Sequence, residues 1–274
     1  MKKRLESIRN KLLPAGTFCL IVLLWWAISA LGVVPGYMLP SPVDVVSAFV
    51  RDFSNLMFHA WVSVKEAVYG LLIGVLLAFG LACAMERFGM LEKAVLPLLV
   101  VTQTIPTIAI APLLVLWMGF GMAPKITLVV VTTFFPVAVG LLDGFKSVDP
   151  DAVALLRSMK ATWWQIFRHV KFPSALPFFF SGLRISASYA VVGAVISEWL
   201  GGFEGLGVYM TRVRKAYAFD KMFAVILLIV IVSLLLMKLV NVIRSLSMPW
   251  LKYRSDAGPR SAGRRLQPVR KKTA

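Results

Sequence analysis

A short stretch around Pro106 places neutral hydrogen-bonding side chains within an otherwise apolar run, residues 94–120. The stretch contains Thr102, Gln103, Thr104, Pro106 and Thr107. Uncharged donors and acceptors of this kind suit a polar, uncharged solute. A proline-broken helix at membrane depth is tolerated where it lines a cavity or packs on protein, so these residues are candidates for a translocation path. The alternative is that the prolines only kink a packed helix and that each threonine bonds to its own backbone.

A second group of candidates lies further along the chain, in another apolar run. Ser186 and Tyr189 could line the same path, although small residues there also suit close packing between helices. Glu198 lies near the end of this run, and an acid at membrane depth usually faces a cavity or a partner because burial of its charge is costly. Two roles remain open for Glu198: a gate, or an ion pair with Arg212 or Arg214.

Motifs of enzymes and nucleotide-binding proteins are absent from the sequence. His59 and His169 lie far apart, and there is no HExxH pair and no nucleophile elbow. The nearest approach to a phosphate-binding loop is GFGMAPK at 119–125, where Pro124 replaces the second glycine and Ile126 replaces Ser or Thr. We therefore expect no catalytic residue, cofactor or metal site in this chain. Any ATP that drives the protein must bind another chain.

The composition is that of a membrane protein. Of the 274 residues, 59% are hydrophobic, whereas a soluble domain is nearer half apolar. The 30 basic residues outnumber 13 acidic ones, which gives a formal charge of +17. In a soluble protein this excess would suggest nucleic acid as a partner. Here the bases lie mostly between and beyond apolar runs, which predicts a protein that is oriented in lipid by its charge and binds no nucleic acid.

Six apolar runs are long enough to cross a bilayer, whose core of about 30 Å needs about 20 helical residues. They are residues 17–34, 68–85, 94–120, 126–142, 178–200 and 223–242. With six spans and the N-terminus inside, 21 basic residues lie on the inner side and 6 on the outer side, as the positive-inside rule requires. The third run would form a helix of about 40 Å, so we expect it to be tilted or broken.

These runs predict an all-α membrane protein with six transmembrane helices and both termini in the cytoplasm. Residues 1–16 form a basic cytoplasmic N-terminus, residues 17–248 form the six-span domain, and residues 249–274 form a basic, disordered cytoplasmic tail. The longest cytoplasmic loop is 145–177, which we call the inner loop.

The inner loop contains two helix starts and the aromatic, basic segment WWQIFRHVKFPSALP at 163–177. Asp149 caps the first helix. Thr162 and Gln165 form a capping box for the second helix, which Pro173 is expected to end. The loop should therefore fold as two short helices.

The second helix has two faces of different character. Trp163, Ile166, Phe167 and Val170 form an aromatic and apolar face. Trp164, Arg168 and Lys171 form another, basic face. Such a helix can lie on the membrane, with its aromatic rings in the interface and its bases towards anionic lipid. It can equally insert into a groove of a soluble cytosolic partner.

The inner loop resembles the EAA loop of ABC-transporter permeases, the segment that couples a membrane subunit to its ATPase. When WQIFRHV and FPSALP are matched to the family pattern, its Glu falls on Ala154, its two Ala residues on Leu155 and Leu156, and its Gly on Lys160. The Leu-Pro ending matches, whereas the name-giving residues have changed. Without the glycine, the capping box at Thr162 offers another way to make the bend.

Four further segments resemble permeases of the nitrate/sulfonate/taurine-type importer group. They are LPSPVDVVSAF at 39–49, QTIPTIAIAPLLVLWMGFG at 103–121, FFPVAVGLLDGFKSVDPD at 134–151 and GAVISEWLGGFEGLG at 193–207. Within that group, QTIPTIAIAP and DGFKSVDPD are similar to the permeases for thiamine pyrimidine precursors.

The resemblance implies a type I ABC importer permease in the bacterial cytoplasmic (inner) membrane. The transporter would contain a permease homodimer in lipid, two ABC ATPase subunits that bind ATP–Mg, and a periplasmic or extracellular solute-binding protein. The ATPase would dock on Leu155, Leu156, Thr162, Trp163, Ile166, Phe167 and Arg168. The solute would be a thiamine pyrimidine precursor of the hydroxymethylpyrimidine type, with a sulfonate, taurine or nitrate as the alternative.

An ion-coupled secondary carrier is the alternative from another functional class. A carrier of this kind is expected to have ionisable residues near the midplane of the membrane. The central parts of the six predicted spans contain no Asp, Glu, Lys or His, which argues against this alternative.

Overall fold

The computed structural model describes residues 2–249, with side chains from Leu13 onward except Ala15, and every regular element in this range is helical. The helices are α1 (Lys2–Ala30), α2 (Pro42–Arg51), α3 (Phe53–Arg87), α4 (Gly89–Thr104), α5 (Thr107–Met118), α6 (Met122–Lys146), α7 (Pro150–Ser158), α8 (Trp163–Ile166), α9 (Phe172–Gly201), α10 (Leu206–Lys215) and α11 (Phe219–Ser247). The all-α fold class is confirmed. The basic tail lies outside the described residues from position 250 onward.

Four helical segments are long and apolar enough to cross a membrane: α3, α6, the continuous helix Trp163–Gly201 and α11. Helices α4 and α5 meet at an angle of 100° and together form a fifth, broken segment. The apolar part of α1, Gly16–Ala30, is shorter than these. The described residues thus give four spans, or five with the broken pair, and six spans with cytoplasmic termini stay a prediction.

The break between α4 and α5 confirms that the third apolar run is not one straight helix. Pro106 has no backbone N–H to continue the helical ladder, and its ring disfavours helical geometry at the preceding residue. Ile105 accordingly has an extended backbone, with φ −83° and ψ 121°. The chain therefore turns at Pro106, and α5 begins at Thr107.

The centre of the fold is the contact between α6 and α9, which glycines allow to become very close. A Cβ atom added to Gly182 would lie 2.3 Å from the carbonyl oxygen of Pro136, and one added to Gly144 would lie 2.6 Å from the Cα of Ala175. Small residues are the usual means of close helix packing in membranes, where lipid offers no hydrophobic drive for association. Position 182 must therefore lack a side chain for the two helices to meet.

Gly182→Val should separate α6 from α9 because the new side chain would overlap the backbone of Pro136. We expect a loss of several degrees in the melting temperature of the detergent-purified protein and a lower abundance in the membrane. Gly80→Val is the matched control, since a Cβ atom at Gly80 meets nothing within 4 Å. Equal stability of the two variants would contradict this description of the core.

Candidate functional site

A cavity of about 190 Å³ lies between the α4–α5 break, α6 and α9. It is lined by Thr102, Gln103, Ile105, Thr107, Ile110, Val131, Thr132, Tyr189, Val192, Gly193 and Ile196. Four of the residues predicted from sequence for the translocation path therefore come together, although they belong to three different helices. The remaining polar lining residue, Thr132, was missed because it lies in the middle of a mostly apolar run that forms one unbroken helix, where hydropathy gives no sign of a cavity. Transport through this cavity stays a prediction.

The polar groups of the cavity are uncharged, and two of its hydroxyl groups have their proton engaged. Thr102 Oγ1 donates to the carbonyl oxygen of Leu99 at 2.7 Å, and Thr132 Oγ1 donates to that of Val129 at 2.9 Å. A hydroxyl that donates in this way still offers its oxygen as an acceptor. The cavity therefore presents hydroxyl acceptors together with the amide of Gln103, and its lining contains no ionisable acid or base.

Three other predicted path residues lie away from the cavity lining. Thr104 Oγ1 donates to the carbonyl oxygen of Val101 at 2.7 Å, which is the backbone bonding that was weighed as the alternative. Ser186 is fully buried and donates to the carbonyl oxygen of Thr133 at 2.6 Å, which joins α9 to α6. Pro106 forms the turn between α4 and α5 without lining the cavity.

Glu198 is buried at the end of α9 that the charge distribution predicts to face outside. Its carboxylate accepts hydrogen bonds from Ser63 Oγ and from the backbone N–H of Gly207, each at 2.6 Å. The predicted ion pair with Arg212 or Arg214 is wrong: the structure shows neither, because Glu198 points into the protein towards α3 and both arginines are exposed.

A buried ion pair next to Glu198 was missed in the sequence. Lys125 Nζ lies 2.7 Å from Glu66 Oε1, and both side chains are almost inaccessible to solvent. Helix α3 begins at Phe53, well before the predicted span 68–85, so Glu66 belongs to a long helix rather than to a loop. A hydropathy pattern ends a span at charged residues. Lys65 and Glu66 were therefore interpreted as lying outside the predicted span 68–85.

The inner loop forms the two predicted helices and both predicted caps. The Asp149 carboxylate accepts from the backbone N–H of Asp151 at 2.9 Å. The capping box at Thr162 is also present: its backbone N–H donates to Gln165 Oε1 at 2.7 Å, and its hydroxyl accepts from the N–H of Gln165 at 3.4 Å. Both predictions of local structure are confirmed.

The bend between α7 and α8 is made at Lys160, where the family pattern has Gly. Lys160 has a φ of 59°, and its N–H donates to the carbonyl oxygen of Arg157. The N–H of Ala161 donates to the carbonyl oxygen of Leu156 at 3.0 Å. This pair of bonds is a Schellman motif, which normally has glycine in the left-handed position. The bend therefore survives the loss of glycine, at a local cost of about 1–2 kcal/mol.

The prediction that Pro173 ends the second helix is wrong. The chain continues as one helix from Trp163 to Gly201, through a π-helical stretch at Phe167–Lys171. The N–H of Phe172 bonds to the carbonyl oxygen of Phe167, five residues earlier. This wider turn immediately precedes the proline, where a regular ladder would clash with its ring and lack its N–H.

The aromatic face of this helix packs inside the protein rather than on its surface. Ile166 and Phe167 are only 5% and 6% exposed, and the Phe167 ring stacks on Trp163 with centroids 5.0 Å apart. Phe145, at the end of α6, contacts the same ring. We expected Ile166 and Phe167 to be available to a partner, but the structure uses them to fix the inner loop onto α6.

The residues that remain free on the inner loop are different ones. Leu155, Met159 and Trp164 are 63%, 70% and 58% exposed. Thr162 and Arg168 are also exposed, whereas Leu156 and Trp163 are half-buried. We call Leu155, Met159 and Trp164 the apolar docking face. Met159 and Trp164 were missed because periodicity groups residues into faces but does not tell which face meets the core.

Comparison with known proteins relates these features to permeases. The formylaminopyrimidine transport permease protein ThiX of Halalkalibacterium halodurans is 36% identical over 92% of this chain and 99% of its own length. The putative aliphatic sulfonates transport permease protein SsuC of Bacillus subtilis is 30% identical over 91% of this chain and 90% of its own.

The same architecture is found in a solved structure of an amino acid ABC transporter. One of its chains superposes with a TM-score of 0.60 over 72% of this chain and 95% of that chain, at 17% sequence identity. At this identity the likeness shows the fold alone. The family model of the binding-protein-dependent transport system inner membrane component matches residues 70–253. This chain therefore belongs to that family, the inner-membrane permeases of ABC importers.

Proposed function

We propose that this importer permease carries a small, uncharged heterocycle of the thiamine-pyrimidine precursor type. The observation that supports the proposal most strongly is the cavity at the α4–α5 break, whose polar groups are hydroxyls and an amide. Its volume of about 190 Å³ is below the range of about 300–1,000 Å³ that is typical of sites for drug-sized ligands. The similarity to ThiX points to the same class of solute.

Import of a sulfonate, taurine or nitrate is the second candidate, supported by the similarity to SsuC. A sulfonate or nitrate carries a negative charge that needs a paired cation or strong donors when it leaves water. The cavity lining includes no Lys or Arg. The lining thus favours the neutral heterocycle over the anion.

Energy for transport comes, in this proposal, from two ABC ATPase subunits that bind ATP–Mg and dock on the inner loop of a permease homodimer. Leu155, Met159 and Trp164 are exposed on the two short helices of the inner loop, and large apolar side chains of this kind can fill a groove on a partner. A solute-binding protein would deliver solute to the opposite side. Closure of the ATPases would then rock the spans as rigid bodies around the cavity.

Filling the cavity should abolish uptake, and the melting temperature of the variant shows whether the packing of α6 against α9 is kept. Gly193 lines the cavity, and a Cβ atom there would lie 3.1 Å from Thr132 Oγ1. We expect Gly193→Val to reduce uptake of labelled hydroxymethylpyrimidine at least tenfold in proteoliposomes that contain the ATPase and the binding protein. Gly80→Val, which faces open space, should transport normally.

The same proteoliposomes test which solute is carried. We expect uptake of the labelled pyrimidine, and we expect that excess taurine or an alkyl sulfonate does not inhibit this uptake. Taurine or sulfonate uptake with no pyrimidine uptake would contradict the proposed solute while leaving the importer assignment intact. Accumulation driven by an ion gradient without the ATPase would contradict the proposed energy source.

Substitutions on the two faces of the inner loop should have opposite effects. Trp164→Ala should weaken ATPase binding by about 2 kcal/mol, or roughly 30-fold. It should lower permease stability much less than a core truncation, because the ring stacks on Phe167 but is 58% exposed. Phe167→Ala should destabilise the permease itself by about 3–5 kcal/mol because it empties a packed site. Arg168→Ala, at an exposed charge, should change binding by about 0–1 kcal/mol.

The measurements are copurification of the ATPase from detergent and the melting temperature of each permease variant. Full ATPase retention by a Leu155→Ala/Met159→Ala/Trp164→Ala variant would contradict the docking proposal. It would instead favour the membrane-surface interpretation of this loop.

A further inference from the structure

Two buried carboxyl groups and one buried ammonium group meet where the start of α6 and the end of α9 pack against α3. Glu66, Lys125 and Glu198 are 2%, 6% and 1% exposed. We call them the buried ion cluster. If both acids were ionised, the cluster would hold a net charge of −1 away from water, and an uncompensated buried charge is strongly unfavourable.

The hydrogen bonds of the cluster leave one oxygen without a partner. Glu66 Oε1 accepts from Lys125 Nζ at 2.7 Å, and the two oxygens of Glu198 accept from Ser63 and Gly207. Glu66 Oε2 is buried and has no donor among the described residues. Glu66 and Glu198 share one polar neighbourhood: Ser63, one turn before Glu66 on α3, donates to Glu198, and Lys125, which pairs with Glu66, donates to the carbonyl oxygen of Glu204. Two carboxyl groups can bond to each other only if one of them is protonated.

We propose that the buried ion cluster binds one proton, shared by the carboxyl groups of Glu66 and Glu198, and that the neutral cluster latches the connection between α9 and α10. With this proton, the orphan oxygen of Glu66 gains a hydrogen bond. The single remaining carboxylate charge is balanced by Lys125, so the cluster becomes neutral.

The connection held by the cluster is residues 202–206, which we call the outer connection. Lys125 Nζ donates to the carbonyl oxygen of Glu204 at 3.3 Å, and the N–H of Leu206 donates to Ser63 Oγ at 2.8 Å. Gly205 has a φ of 121°, and a Cβ atom there would lie 2.2 Å from the carboxyl carbon of Glu198. The backbone thus approaches the carboxyl group as closely as glycine allows, which ties α10 to α3 and α9.

Other ionisable groups surround the shared proton on every packed element. They are His59 and Lys65 of α3, Lys125 of α6, Glu204 of the outer connection and Arg212 of α10. His59 Nδ1 accepts from the N–H of Gly205 at 3.1 Å, so His59 bonds to the outer connection as a neutral ring rather than to the acids. Raising the pH should remove the shared proton, leave two facing carboxylates and loosen the outer connection.

Infrared spectroscopy of the full-length permease, purified with its ATPase, tests the proton directly. The wild-type protein at neutral pH should show the C=O stretch of a buried protonated carboxyl group. Glu66→Gln and Glu198→Gln should each remove the whole band, because the one remaining acid is then ionised and the charge of Lys125 balances it. Lys125→Met should retain or strengthen it, and Glu204→Gln, at an exposed acid on the same connection, should leave it unchanged.

Hydrogen–deuterium exchange at residues 202–207 tests the latch. Glu66→Gln should keep the protection of these amides, since its carbonyl can accept from Lys125 and its NH₂ can donate to Glu198. Glu198→Ala should accelerate exchange at least tenfold, and loss of the infrared band at high pH should coincide with faster exchange after correction for the intrinsic rate.

Absence of a protonated-carboxyl band from the wild-type protein at neutral pH would overturn the proposal, as would a band that survives both Gln substitutions. The wild-type titration decides the matter even if a variant fails to fold. Neither measurement involves solute. Failure of the proposal for the buried ion cluster can therefore be distinguished from failure of the proposed transport function.

Discussion

Backbone groups that leave water must find hydrogen-bond partners within the protein, and the arrangement of this permease follows from how that requirement is met. At Pro106 a proline removes a donor, the helix breaks, and a cavity opens where α4 and α5 diverge. Hydroxyl groups of Thr102 and Thr132 bond to nearby carbonyl oxygens at the cavity wall. The irregular backbone is thus placed where a solute could take up the remaining hydrogen-bonding capacity.

The same requirement explains the polar side chains at the end of α9. There the side chains accept hydrogen bonds from backbone amides, whereas at the cavity wall they donate to backbone carbonyl oxygens. The outer connection is irregular and becomes buried from Gly205 onward, so the amides there need acceptors from neighbouring helices. The amides of Gly205, Leu206 and Gly207 bond to His59, Ser63 and Glu198, respectively. A polar cluster of this kind is costly to bury. Gly205 and Gly207 have no room for a side chain, which shows how closely the backbone packs against the cluster. The two polar sites of the bundle therefore differ: the cavity is lined by uncharged groups, whereas the buried ion cluster is built from two carboxyl groups and an ammonium group.

Local chemistry was predictable from the sequence, and the choice of which face meets the core was not. The capping box at Thr162 depends on neighbouring residues alone and is confirmed. The third apolar run was expected to be tilted or broken, and the structure shows that it is broken, at Pro106. The burial of Phe167 depends on the position of α6, which periodicity does not encode. The π-helical passage through Pro173 also needed the structure, because a proline in a sequence normally ends a helix.

The central claim, made above as a proposal, is that an ATPase binds this permease through the apolar docking face. A photo-crosslinking amino acid placed at Trp164 measures that contact directly in membranes that contain the whole transporter. The account predicts an ATP-sensitive crosslink to the ATPase at Trp164 and none at Trp117, an even more exposed aromatic on α5. Crosslinking at Trp164 to lipid alone, with the ATPase present and active, would contradict it.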